Sequence, residues 1–252
     1  MLAAMQPTAL VTGASRRVGR ATALALAARG FNLVLTRHTS AAELDQTEAL
    51  AQQAAAAAGK TIAVQKAALD LSNLAQVQQF AGGVTQPLDV LVLNASRYHA
   101  APVGSIAAHD ALADATVNAV APLLLTQGLL PALRQSTLEG GALVVAMGDI
   151  HADGRPLPGY TSYLMSKAAL HGMVQALAVA LAPQVRVNAI LPGVVAWPDD
   201  TDAGLKQRYE ARIPLARPGT PEDVGRAVCA LALELPYVTG QFLRLDGGRW
   251  LC

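Results

Sequence analysis

The chain is poor in several things that would mark other protein classes. Aromatic residues make up 4% of its 252 positions, charged residues 15%, and there are two cysteines. Cys229, in an apolar stretch, and Cys252, at the end, form neither a disulfide framework nor a metal-ligand spacing, which fits a reducing compartment. His99, His109, His151 and His171 also lack metal spacing, so they are read as structural or solvated and no metal site is expected. A formal charge of +1 argues against a nucleic-acid-binding face. Uninterrupted apolar runs of about 20 residues, the length of a bilayer span, are missing. The opening MLAAMQPTALVTG has no basic leader and passes directly into an apolar run. A secretory signal is therefore not expected, and the expected location is the cytoplasm.

What the chain has is apolar bulk, 52% of its residues, enough to build one large core. Its low charge and many Ala and Leu have two readings, a subunit interface or simply an alanine-rich composition. Short apolar runs alternate with longer helical stretches. The strands expected are Ala9–Thr12, Asn32–Thr36, Thr61–Lys66, Val90–Leu93, Ala142–Met147, Arg186–Leu191 and Phe242–Leu245. Most are continuous rather than alternating, as in a parallel sheet covered on both faces. The helices expected are Gly19–Arg29, Ala41–Ala58, Leu74–Val84, roughly Asp110–Arg134, Tyr160–Leu181 and Pro221–Leu235, with Pro122 and Pro131 able to kink the fourth. This alternation predicts an α/β chain with a Rossmann-type, doubly wound, seven-stranded parallel sheet and helices on both faces. With no linker or repeat, residues 1–252 are read as one dinucleotide-binding and catalytic domain, with a substrate loop roughly over 193–215.

Three motifs carry chemistry. After the first strand, Gly13 to Gly19 form a glycine-framed turn opening a helix, where backbone amides can meet a pyrophosphate. At the end of the second strand stand Arg37, His38, Thr39 and Ser40, with no carboxylate to hold a ribose 2′-hydroxyl. A guanidinium there suits the 2′-phosphate of NADP(H); the plainer reading is a solvated arginine. Tyr163 and Lys167 lie one helical turn apart, so phenol and ammonium share a face. A neighbouring cation favours the phenolate, so Lys167 is expected to pull the Tyr163 pKa down and make it a proton donor and acceptor beside a hydride carrier.

Together TGASRRVG, LNAS at 93–96, Asn118, YTSYLMSK and LPG at 191–193 resemble the short-chain dehydrogenase/reductase family over nearly the whole chain. The resemblance implies that Tyr163 is the acid/base, that Lys167 tunes it and holds the nicotinamide ribose, and that Asn118 positions a relay water. It places the cofactor along Gly13, Ser15, Arg16, Arg17, Val18 and Gly19, then Arg37 to Ser40. Asp70 (against adenine), Leu71, Asn94, Ala95, Ser96, Tyr163, Lys167, Pro192, Gly193 and Val194 complete that set. It also implies a homotetramer or dimer joined through the helices around Asp110–Arg134 and Tyr160–Leu181.

Two departures narrow it. Arg17 replaces the middle glycine of the family's turn, and Asp149 stands where a serine is usual. Both, with Tyr98 shortly after LNAS and the run LPGVVAWPDD, resemble the pteridine reductase and dihydromonapterin reductase branch. The Asp149–Tyr163 spacing is one residue longer than the branch implies, so the intervening loop should bulge. On this resemblance the substrate residues are Arg17, Ser96, Tyr98, Asp149, Tyr163 and Trp197, with Asp149 catalytic beside Tyr163, Lys167 and Asn118. Tyr98 would stack a pterin against the nicotinamide, or it is a pocket wall. Trp197 closes the pocket or anchors its loop. Asp149 meets substrate, or it caps a turn or pairs with Arg155. The expected function is NADPH-dependent reduction of a dihydropterin; the alternatives are a general carbonyl reductase and a non-catalytic NADP sensor.

Overall fold

The computed structural model describes residues 6–197 and 201–252. Seven strands form one parallel sheet in the order β3-β2-β1-β4-β5-β6-β7. They are β1 (Thr8–Val11), β2 (Asn32–Arg37), β3 (Val64–Ala68), β4 (Val90–Leu93), β5 (Ala142–Met147), β6 (Val185–Pro192) and β7 (Phe242–Leu245). The central strands β4 (VLVL) and β5 (ALVVAM) are buried at every position. Their unbroken apolar runs follow from cover on both faces. One layer packs Val77, Leu125, Leu129 and Val174 from α3 (Leu74–Gly82), α5 (Ala121–Leu133) and α6 (Thr161–Leu181) onto the sheet. The opposite layer packs Leu26, Leu44 and Val228 from α1 (Arg17–Ala28), α2 (Ala41–Ala57) and α8 (Pro221–Leu233). Strand order reverses between β1 and β4, and the crevice at that switch point is where such sheets bind ligands.

Four elements differ from the expectation. The third strand begins at Val64, because the Ala63 amide is taken by the Asn32 side chain at 2.9 Å instead of joining the ladder. The long fourth helix is three pieces: α4 (Ala108–Ala115), a π turn (Thr116–Val120) and α5. Pro122 has no N–H to donate to the Asn118 carbonyl four residues back, and the Ala121 amide instead reaches the Thr116 carbonyl five residues back. The expected substrate loop contains a helix, α7 (Ala203–Glu210), whose N-cap Asp202 accepts from the Leu205 amide at 2.8 Å. Short 3₁₀ turns occupy Ile150–Ala152 and Arg249–Leu251. Pro198, Asp199 and Asp200 of the loop motif lie outside the described residues.

Candidate active site

The switch-point crevice is a cleft of about 730 Å³. Its wall includes Gly13, Ser15, Arg16, Arg17, Val18 and Gly19 from the first turn, Arg37 to Ser40 after β2, Asp70 and Leu71, and Asn94, Ala95 and Ser96 after β4. The sequence reading missed Val117, Val195 and Ala196, which also line it. Pro192, Gly193 and Val194, expected there, are not part of this wall.

Sterics set the glycine turn. Gly13 has φ of +64°, and a Cβ on Gly19 would stand 2.2 Å from the Gly13 carbonyl oxygen, so neither position accepts a side chain. The Asn94 amide donates to the Thr12 and Gly13 carbonyls at 2.9 and 3.1 Å, clamping the turn onto β4. Beneath it, Arg20 donates to the Ser15 carbonyl at 2.6 Å and to Thr47 at 3.0 Å, tying the turn to α2. The N-cap of α1, Arg16, makes no side-chain capping bond, and no acid occupies the first turn. The positive end of that helix is thus available to an anion, with Arg16, Arg17 and Arg37 in the same wall. Arg17 reaches its position at φ of +49°, the left-handed region that glycine would enter freely. Across the cleft the Asp70 carboxyl accepts from the Ser72 hydroxyl and amide, which hold its pKa below the usual range.

Tyr163, Lys167 and Asp149 lie beyond the wall of this cleft. The Tyr163 hydroxyl donates to Asp149 Oδ2 at 2.8 Å, while Asp149 Oδ1 accepts from the His151 amide at 2.7 Å. Asp149 therefore meets the tyrosine and also caps a turn. Its other expected partner, Arg155, bonds the Leu251 carbonyl instead. The loop between them takes up its extra residue with left-handed backbone at Arg155, φ of +54°. Lys167 is fully enclosed, donates to the Met147 carbonyl at 2.8 Å and sits 5.8 Å from the Tyr163 ring centre.

The expected electrostatics are corrected here. Burial, and then the Asp149 carboxyl, push the Tyr163 pKa well up rather than down. Burial brings Lys167 down to about 8, with Asp149 opposing. In a dry site, the desolvation of the phenolate and the nearer carboxyl outweigh a cation 5.8 Å from the ring.

Tyr98 stacks on Tyr160, ring centres 4.7 Å apart, and sets its edge on Tyr163 at 4.8 Å. Its stacking face is thus shared with a residue that the sequence reading treated only as a rival for Tyr163. Asn118 sits in the π turn. Its amide donates to the Arg97 carbonyl and to Ser166, both at 2.9 Å, and its oxygen accepts from the Arg97 amide and Ser96 hydroxyl at 2.8 and 3.0 Å. The side chain is committed to holding the loop after β4, so any bond to a relay water falls to its backbone. Sequence reasoning missed the strut beside it. Arg97 pairs with Asp110 and with the fully buried Asp114, which accepts from Ser162, next to Tyr163, at 2.6 Å. Trp197 is anchored, its indole N–H donating to Glu210 at 3.0 Å and its ring edge on Tyr209 at 5.4 Å. Among the described residues no group of His, Cys, Asp and Glu is placed to hold a metal ion.

Known proteins share this arrangement. Residues 13–249 match the family model described as enoyl-(acyl carrier protein) reductase. An uncharacterized oxidoreductase of Bacillus subtilis is 33% identical over 98% of this chain and 100% of its own. Pteridine reductase 1 of Leishmania tarentolae is 32% identical over 96% of each chain. The crystal structure of acetoin dehydrogenase from Salmonella typhimurium superposes with a TM-score of 0.82 at 29% identity, over 98% of this chain and 97% of its own. The chain belongs to the short-chain dehydrogenase/reductase family of oxidoreductases.

Proposed function

We propose that this chain is a cytoplasmic, NADPH-dependent reductase of dihydropterins. The cleft fits the nucleotide by its donors: an uncapped helix N-terminus for the pyrophosphate and Arg37, Thr39 and Ser40 for the 2′-phosphate. Bound NADPH would supply a hydride. The chain's own residues must deliver the proton that a reduced ring nitrogen takes up. Tyr163 suits that task, since its raised pKa keeps the phenol protonated across neutral pH.

The observation that carries the pterin reading is Asp149 bonded to the Tyr163 hydroxyl, in the place where a hydroxyl donor would serve a simple ketone. A carboxyl accepts hydrogen bonds from the N–H groups on the amidine-like edge of a pterin, and a ketone offers none. Tyr98 and Tyr160 add flat apolar walls for a planar ring. The proton-transfer residues are all present, which counts against a non-catalytic sensor.

The test is NADPH oxidation with dihydrobiopterin, dihydrofolate and acetoin. Turnover of the pterins is expected; turnover of acetoin alone rejects the reading. Asp149→Asn should lower kcat on dihydrobiopterin about 100-fold. Tyr163→Phe should abolish turnover while NADPH still binds. A second reading, a reductase of small ketones, is favoured by the likeness to the acetoin enzyme. It predicts that Asp149→Asn leaves acetoin turnover nearly unchanged.

A further inference from the structure

His151 serves two masters, α7 through its ring and Asp149 through its backbone. The ring is buried, 7% exposed, with Nδ1 at 2.8 Å from the Arg155 carbonyl and Nε2 at 3.3 Å from the Tyr209 hydroxyl. A carbonyl can only accept, so Nδ1 carries the proton and the neutral ring leaves a lone pair on Nε2. The Tyr209 hydroxyl on α7 is therefore the donor across that gap. The same residue's amide holds Asp149 Oδ1 at 2.7 Å, leaving Oδ2 for Tyr163. Tyr209 is braced in turn: the Arg249 guanidinium lies 4.7 Å over its ring and the Trp197 edge meets it at 5.4 Å. Trp197 directly follows Val195 and Ala196, which line the nucleotide cleft. A continuous line of contacts thus runs from the cleft through Trp197, Tyr209 and His151 to Asp149.

We infer that the Tyr209–His151 bridge fixes Asp149 in its substrate-facing position, so that both are positioning residues for proton delivery. The inference rests on the reading of Asp149 given above. Neither residue has to touch substrate. Their effect is to keep the amide under Asp149 Oδ1 still, in a turn whose ring is shut off from water that might replace the lost bond.

The experiment compares Tyr209→Phe, His151→Leu, His151→Gln and His151→Asn, together with the double variant Tyr209→Phe/His151→Leu, using NADPH and dihydrobiopterin. Tyr209→Phe should lower kcat about tenfold, the worth of one buried hydrogen bond, with the KM for NADPH unchanged. The double variant should be no slower than His151→Leu alone, because both cut the same link. Glutamine, whose amide reaches the Nε2 position, should rescue kcat; asparagine, which reaches only the Nδ1 position, should not. Additive losses, a Tyr209→Phe enzyme at full kcat, or equal behaviour of glutamine and asparagine would each overturn the bridge. A merely structural role would lower stability without that ordering. Wild-type failure on dihydrobiopterin would sink the pterin reading alone. The bridge is then decided by acrylamide quenching of Trp197 in a Trp250→Phe background: quenching should rise in Tyr209→Phe and in His151→Leu, and unchanged quenching would reject it.

Discussion

Arg17 holds a left-handed backbone at the mouth of the cleft, where a residue with a Cβ costs about 1 kcal/mol relative to glycine. Strain kept at a binding site points to work done by the side chain. Arg17→Gly should therefore raise the unfolding free energy by about 1 kcal/mol. The same change should weaken NADPH binding about tenfold through loss of a charge-assisted contact. Denaturant titration and fluorescence titration with NADPH check the two halves, and a less stable variant with unchanged affinity contradicts both.

Lys167 gives a pH test. Its ammonium pKa falls from 10.5 in the open chain to about 8 when folded, because it is buried. Below about pH 8 both states are protonated and the cost is constant; above it the unfolded chain binds the extra proton, so stability rises with pH. Tyr163, held above 10, reverses the trend only at higher pH. Between about pH 7.5 and about pH 9.5 the wild type should gain about 2 kcal/mol relative to Lys167→Met, measured by chemical denaturation. Parallel curves for the two would show that the ammonium is not desolvated.

At the level of elements, the π turn is the feature most tied to the chemistry. Pro122 denies the Asn118 carbonyl its ordinary helical bond and sets the turn that carries the Asn118 side chain to Arg97 and Ser166. Pro122→Ala restores the missing donor. It should leave the melting temperature unchanged or higher, yet lower kcat about tenfold by moving Asn118. Unchanged kcat would mean that the turn is incidental.

Pro122 was visible in the sequence, but only as a break; which carbonyl it frees depends on three-dimensional register. The strands were legible because their apolar runs are continuous, and the cofactor turn because glycine spacing is local. The helix α7 was missed because none of its residues is buried, so it carries no apolar stripe, although Asp202 marked its start. The strut from Arg97 through Asp114 to Ser162 joins residues 17 and 48 apart in the chain, and no local pattern announces it. The direction of the Tyr163 shift was misread for a similar reason. One-turn spacing placed Lys167 nearby, but the depth of burial and the approach of Asp149 come only from packing.

At the scale of the whole molecule, apolar surface gathers on α4, α5 and α6. Leu112 is 68% exposed, Met165 55% and Val179 84%. The stretches Ala108–Leu133 and Thr161–Leu181 are long and apolar enough to cross a bilayer by composition, with 44% and 39% of those windows buried. The outward residues of α6 argue for a partner helix rather than lipid. Ala168, Ala169, Gly172, Ala176 and Ala180 are small and exposed, which allows close backbone approach, and Thr161 and Gln175 among them offer polar contacts. A second copy meeting this face about a twofold axis is the proposed cover, since a self-complementary patch closes into a dimer. A separate patch near the edge strand β7, with Leu243, Tyr237 and Leu251 exposed, supplies a second twofold contact and hence a tetramer. Light scattering should give four chains for the wild type and two for Val179→Arg, whose buried guanidinium would leave the α6 contact unpaired. Adding Tyr237→Arg should yield monomers. A monomeric wild type that floats with phospholipid vesicles would assign these helices to a membrane instead, and a tetramer indifferent to Val179→Arg would move the interface off α6.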